Sequence, residues 1–64
     1  MKVTPAERAA LEAVGRYGTT KQAAHHLGKS PRTVEQQLKS ARNRLDVSTT
    51  VQAVVLVIRE PHHT

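Results

Sequence analysis

The sequence predicts an all-α fold, a small bundle of four helices within a single domain over residues 1–64. Four segments each begin with a residue that can cap a helix N-terminus and continue with apolar residues three and four positions apart. Glycines follow the first two of these segments, where they can end a helix. A chain of 64 residues has room for only one small core.

The first helix is predicted over residues 5–16. Thr4-Pro5-Ala6-Glu7 places threonine at the N-cap, proline at the first helical position and glutamate at the third, which together form a capping box. Apolar residues recur at helical spacing after it, at Ala10, Leu11 and Val14. Gly15 and Gly18 are expected to end this helix.

The second helix is short and is predicted over residues 20–27. Thr19 supplies its N-cap, Gln22 is placed to reach back from the third position, and Gly28 ends it. A tight connection through Lys29 leads to the next start signal.

The third helix is predicted over residues 31–45, starting from a Ser30 cap and Pro31. Its apolar positions are Val34, Leu38, Ala41 and Leu45, at spacings of four, three and four. The other face carries long polar side chains: Arg32, Glu35, Gln36, Lys39, Arg42, Asn43 and Arg44.

The fourth helix is predicted over residues 50–60, with Thr49 and Gln52 as a capping box. Residues 54–58 are consecutive apolar residues, mostly β-branched, and also fit a buried strand. Helix is favoured because a lone strand would leave its backbone groups unpaired. Val51, Val54, Val55 and Ile58 are expected in the core. Ala53, Leu56 and Val57 are expected at an interface with a second copy of the chain.

The composition favours a partner that is a polyanion. Ten Lys and Arg residues against five Asp and Glu residues give a formal net charge of +5, and the cations fall inside predicted helices. The chain has no cysteine, no apolar run long enough to span a bilayer and no signal-peptide pattern, so a cytoplasmic protein is expected. No catalytic motif, cofactor motif or metal-ligand spacing occurs, and we expect a binding protein, not an enzyme.

A short helix, a glycine-containing turn and a longer helix with a polar outer face are typical of a helix-turn-helix. Several segments also resemble the LuxR/GerE helix-turn-helix domain, in the same order and over nearly the whole chain. These segments are Val3-Thr4-Pro5-Ala6-Glu7-Arg8, Lys21-Gln22-Ala23-Ala24-His25-His26-Leu27-Gly28, Ser30-Pro31-Arg32-Thr33-Val34-Glu35, Leu45-Asp46-Val47 and Gln52-Ala53-Val54.

The resemblance implies that the third helix reads the major groove of double-stranded DNA and that the fourth helix pairs two subunits. Lys21 and Thr33 match family positions that contact phosphates, and Glu35, Gln36 and Lys39 match positions that face the bases. Two departures stand out, because many members carry a basic residue at position 35 and most carry glycine at position 46, where this chain has Asp46.

The side-chain chemistry extends these assignments. Gln can pair with adenine, Lys can donate to guanine and Glu can accept from cytosine. The expected base contacts are Glu35, Gln36, Gln37 and Lys39. The expected phosphate contacts are Thr20, Lys21, Lys29, Arg32, Thr33, Arg42 and Asn43, with Arg44 adding to the attraction.

Two alternatives remain open at this point. Region four of sigma factors uses a closely related helix-turn-helix, although the apolar segment after Val47 fits the LuxR/GerE pattern better. A small interaction module that binds RNA polymerase or another regulator through the fourth helix would share the same composition.

Overall fold

A computed structural model describes residues 3–59 and contains four α-helices in this range. They are α1 (Pro5–Tyr17), α2 (Thr20–Leu27), α3 (Pro31–Leu45) and α4 (Thr50–Arg59). The predicted all-α class is confirmed, and the predicted helix limits agree within one residue. Residue 60, the predicted end of the fourth helix, lies outside the described residues. The strand alternative for residues 54–58 is wrong, because all five residues are helical.

The helices start at the predicted caps. The Thr4 hydroxyl accepts a hydrogen bond from the Glu7 N–H at 3.1 Å, and a Glu7 carboxylate oxygen accepts one from the Thr4 N–H at 3.0 Å. The hydroxyls of Thr19 and Ser30 accept hydrogen bonds from the N–H groups of Gln22 and Thr33 at the starts of α2 and α3. The predicted return bond from the Gln22 side chain is not formed among the described residues. At α4, the Gln52 side chain accepts from the Thr49 N–H at 3.2 Å. Local hydrogen bonds therefore explain why each helix begins where it does.

The first three helices end in left-handed backbone conformations. Gly18, Gly28 and Asp46 occupy these positions with φ of 89°, 67° and 57°. Gly15 was predicted to help end α1, but it lies within the helix. A Cβ atom at Gly15 would lie 2.9 Å from Val54 Cγ1, so this glycine permits close approach of α4 instead.

Asp46→Gly is expected to raise the free energy of unfolding by about 0.5 kcal/mol, because glycine adopts a positive φ without a Cβ clash. The substitution also removes a negative charge from the negative end of the α3 dipole. Thermal unfolding followed by circular dichroism measures the change. Asp46→Ala is the control and should destabilise the protein, and equal stability of the two variants would contradict the prediction.

The core lies between α1 and the other three helices, and α1 packs against each of them. Leu11, Val34 and Val57 are the largest fully buried side chains. Small side chains fill much of the remaining core, at Ala10, Ala23, Ala24, Ala41 and Ala53. Alanines at helix contacts allow the helix axes to approach closely. The resulting bundle has a radius of gyration of 10.6 Å over its Cα atoms.

The predicted faces of α4 are partly reversed in the structure. Ala53 and Val57 are 0% and 2% exposed, so they belong to the core and do not form an interface with a second copy. Val51, Val55 and Ile58 are 72%, 44% and 61% exposed, which contradicts their predicted place in the core. The reason is that α4 turns its smallest apolar residue, Ala53, towards the other helices.

We call the exposed residues Val51, Val55 and Ile58 the α4 stripe. Their spacing of four and three places them along one side of the helix. The predicted interface residue Leu56 is half-buried and lines a shallow apolar groove beside the stripe, together with Val47. Val54, predicted to be buried, is half-buried where it packs near Gly15.

Candidate nucleic-acid interface

One side of α3 carries a row of exposed polar side chains. Arg32, Gln36, Lys39 and Asn43 follow one another at spacings of four, three and four, and all four are exposed. They lie opposite the buried side of the helix, which carries Val34, Leu38 and Ala41. The four residues, which we call the α3 row, extend over about 16 Å of the helix axis.

The predicted base-contact residues divide into two groups. Gln36 and Lys39 lie in the middle of the α3 row, and Glu35 is exposed at its edge. Gln37 is half-buried, and its side-chain oxygen is buried without a hydrogen-bond partner among the described residues. The position of Gln37 on α3 turns its side chain towards the bundle, so it is less accessible for a base contact than Gln36 and Lys39.

The predicted phosphate-contact residues are mostly accessible. Lys21 is exposed and Thr20 half-buried in the first turn of α2, and Lys29 is half-buried in the turn before α3. Arg32 and Asn43 belong to the α3 row. Thr33 is exposed in the first turn of α3, where its hydroxyl oxygen lies 3.0 Å from the Ser30 hydroxyl that donates to it.

The side chains of Arg42 and Arg44 contact other helices of the bundle. The Arg42 guanidinium donates a hydrogen bond of 2.8 Å to the Thr50 hydroxyl, so its side chain points to the start of α4. Arg44 Nε lies 2.9 Å from a carboxylate oxygen of Glu7. Arg42 was predicted to contact phosphate and Arg44 to add to the attraction for DNA. Both contacts within the bundle were missed, because the partner residues are 8 and 37 positions away in sequence.

The acidic residues of α1 face cations of the same chain. Glu7 pairs with Arg44, and Glu12 lies 3.6 Å from Arg8 one turn earlier. Four cations form no ion pair within residues 3–59. They lie at the start of α2, in the turn and along α3, and are Lys21, Lys29, Arg32 and Lys39. The one carboxylate in this unit, Glu35, offsets only part of this charge, so α2, the turn and α3 together carry a net positive charge.

Glu7 connects the first turn of α1 with the last turn of α3. Its side chain is 6% exposed, and this burial would by itself raise the pKa of the carboxyl group. Hydrogen bonds from the Thr4 N–H and from Arg44, together with the Arg44 charge, outweigh burial and hold the pKa below its ordinary value. The carboxylate thus stabilises the position of α3 against α1.

Glu7→Gln is expected to lower the free energy of unfolding by about 1–2 kcal/mol at neutral pH. Because folding lowers the pKa of Glu7, its contribution is complete above the ordinary value of 4.5 and is lost as pH falls through the folded pKa. The difference between the two proteins should therefore shrink under acidic conditions. Urea denaturation of both proteins over a pH series measures it, and a difference independent of pH would contradict the expectation.

The remaining polar features lie away from the α3 row. Tyr17 stacks on His26 with ring centroids 3.7 Å apart, which joins the end of α1 to the end of α2. Among residues 3–59 there is no group of three His, Cys, Asp or Glu side chains placed to hold a metal ion. In the same part of the chain, no helix combines the length and the apolar character needed to cross a membrane.

Comparisons with models of protein families, with curated proteins and with solved structures returned no significant match to this chain.

Proposed function

We propose that the chain is a cytoplasmic transcriptional regulator that binds double-stranded DNA in a sequence-specific manner. In this proposal α2 and α3 form the helix-turn-helix, and α3 lies in the major groove. The observation that carries it is the α3 row, a line of exposed cationic and amide side chains on the side of α3 that faces away from the core. The resemblance of the sequence to LuxR/GerE domains supports the same assignment.

The dimensions of α3 suit this role. The major groove of B-DNA is about 12 Å wide and admits one α-helix. The α3 row, about 16 Å long, corresponds to roughly five base-pair steps of 3.4 Å. Lys21 at the start of α2 and Lys29 in the turn add cations on the elements that flank α3. Lysine at such positions neutralises phosphates on either side of the groove.

The chemistry of the row supports reading of bases. The Gln36 amide can pair with adenine and the Lys39 ammonium can donate to guanine, each worth about 1–3 kcal/mol of discrimination. Glu35, at the edge of the row, has no favourable interaction with phosphate and can accept from a cytosine amino group. We therefore assign base recognition to Glu35, Gln36 and Lys39, and phosphate contacts to the flanking cations.

Binding of a random-sequence duplex over a range of salt concentrations tests the proposal. Phosphate contacts by three cations, Lys21, Lys29 and Arg32, would give a slope of about −3 in a plot of log affinity against log salt. Fluorescence anisotropy of a labelled duplex measures it. An interaction module for RNA polymerase, the alternative function, would show little binding and little dependence on salt, and that result would reject DNA binding.

We further propose that the α4 stripe pairs two copies of the chain. Isolated exposed apolar residues are common on protein surfaces, but three on one side of a single short helix form a continuous strip that favours burial. Ala53 and Val57 take no part in this interface, whereas Leu56 contributes from the adjoining groove. A homodimer of this kind would bind a site with two related halves.

Sedimentation equilibrium of Val55→Ser/Ile58→Ser tests the homodimer. The variant should be monomeric at concentrations where the original chain is dimeric. Gln22→Ser, an exposed change on α2, is the control and should leave the association unchanged. A monomeric original chain would reject the homodimer without affecting the assignment of α3.

A further inference from the structure

Arg42 links the end of α3 to the start of α4 by two separate contacts. Its backbone carbonyl accepts a hydrogen bond of 3.1 Å from the Val47 N–H, which closes the end of α3. Its guanidinium donates to the hydroxyl of Thr50, the first residue of α4, at 2.8 Å. The same residue therefore holds both ends of the connection between the two helices.

The burial and chemistry of the Arg42–Thr50 hydrogen bond strengthen this link. The side chains of Arg42 and Thr50 are both half-buried, and a charged donor strengthens the hydrogen bond. The threonine hydroxyl is attached directly to Cβ, and χ1 is restricted in a β-branched side chain, so the hydroxyl stays close to the α4 backbone. The connection itself contains Asp46 in a left-handed conformation, and the Asp46 N–H donates to the Asn43 carbonyl within α3.

We infer that Arg42 is a positioning residue that sets the direction in which α4 leaves α3. If two chains pair through the α4 stripe, as proposed above, that direction sets the separation of their two α3 helices. The Arg42 to Thr50 hydrogen bond then determines which spacing between two half-sites the dimer accepts. This inference rests on the proposed function, and it removes Arg42 from the residues that contact phosphate.

Two substitutions remove the bond from opposite sides. Arg42→Met keeps an unbranched apolar stem and removes the guanidinium, and Thr50→Val keeps the shape of the side chain and removes the hydroxyl. Selection from random duplexes with variable spacers should give one preferred spacing for the original chain. In both variants the preference over neighbouring spacings should fall by roughly three- to ten-fold, as expected for one hydrogen bond. The double variant should show no larger change than either single variant. Thr50→Ser keeps the hydroxyl and should keep the spacing.

A measurement without DNA separates this inference from the proposed function. Residual dipolar couplings of backbone amides report the angle between α3 and α4. That angle should change in Arg42→Met and in Thr50→Val, and should stay constant in Thr50→Ser. If the original chain selects no DNA site, the proposed function and the spacing role fail together, while the couplings still decide whether Arg42 orients α4.

Two results would overturn the positioning role. One is an unchanged angle and spacing in Thr50→Val. The other is a loss of about 0.9 from the salt slope on random duplex in Arg42→Met but not in Thr50→Val, since this is the behaviour of a phosphate contact. Because the two variants alter different helices, failure of one to fold leaves the other as the test.

Discussion

Replacement of Leu11 by alanine is expected to lower the free energy of unfolding by about 3 kcal/mol. Leu11 is fully buried and lies on α1, the helix that contacts the other three. A chain of 64 residues has a total stability of about 3–10 kcal/mol, so this loss removes about a third of it or more. Urea denaturation followed by circular dichroism measures it.

Val51→Ala is the matched control, because it shortens an apolar side chain that is 72% exposed. It should change the stability of the monomer by less than about 0.5 kcal/mol. If both variants lost the same amount of free energy of unfolding, Leu11 would not lie in the core.

Arg32→Ala/Lys39→Ala is expected to weaken binding of a selected duplex by roughly 50-fold, because two contacts of about 1–1.5 kcal/mol are removed. Both residues lie in the α3 row and form no ion pair among residues 3–59, so their loss should leave the fold intact. The slope of log affinity against log salt should also become shallower by about 0.9, because Arg32 is assigned to a phosphate and Lys39 to a base. Anisotropy titrations at several salt concentrations measure both quantities.

Arg16→Ala/Arg59→Ala removes the same net charge from the exposed ends of α1 and α4 and is the matched control. It should weaken binding only through the overall charge, by about five-fold or less. Similar losses of affinity in the two double variants would show that DNA binding depends only on the total charge of the protein and not on the position of the cations on α3.

The limits of the helices were predictable because the signals that start and end them are local. The Thr4 and Glu7 capping box and the Ser30 cap before Pro31 depend on hydrogen bonds between residues three positions apart. The outward position of Gln36 and Lys39 was predictable for a similar reason, since the spacing of Val34 and Leu38 fixes the buried side of α3.

The errors concern residues whose environment is set by other helices. Five consecutive apolar residues in α4 have no periodicity that identifies the buried side, and the sequence does not show that Gly15 admits Val54. The contacts of Arg42 and Arg44 depend on the placement of α4 and α1. Gln37 was assigned from the chemistry of its amide, although its position on α3 turns it inward.

Titration of the isotopically labelled protein with a selected duplex tests the assignment of α3 most directly. Amide and side-chain NMR signals of Arg32, Gln36, Lys39 and Asn43 should shift on addition of duplex, and those of Lys21 should shift with them. Signals of the α4 stripe should shift with protein concentration in the absence of duplex. Unmoved α3 signals, together with shifts confined to α4 or to the end of α1, would contradict DNA recognition by α3.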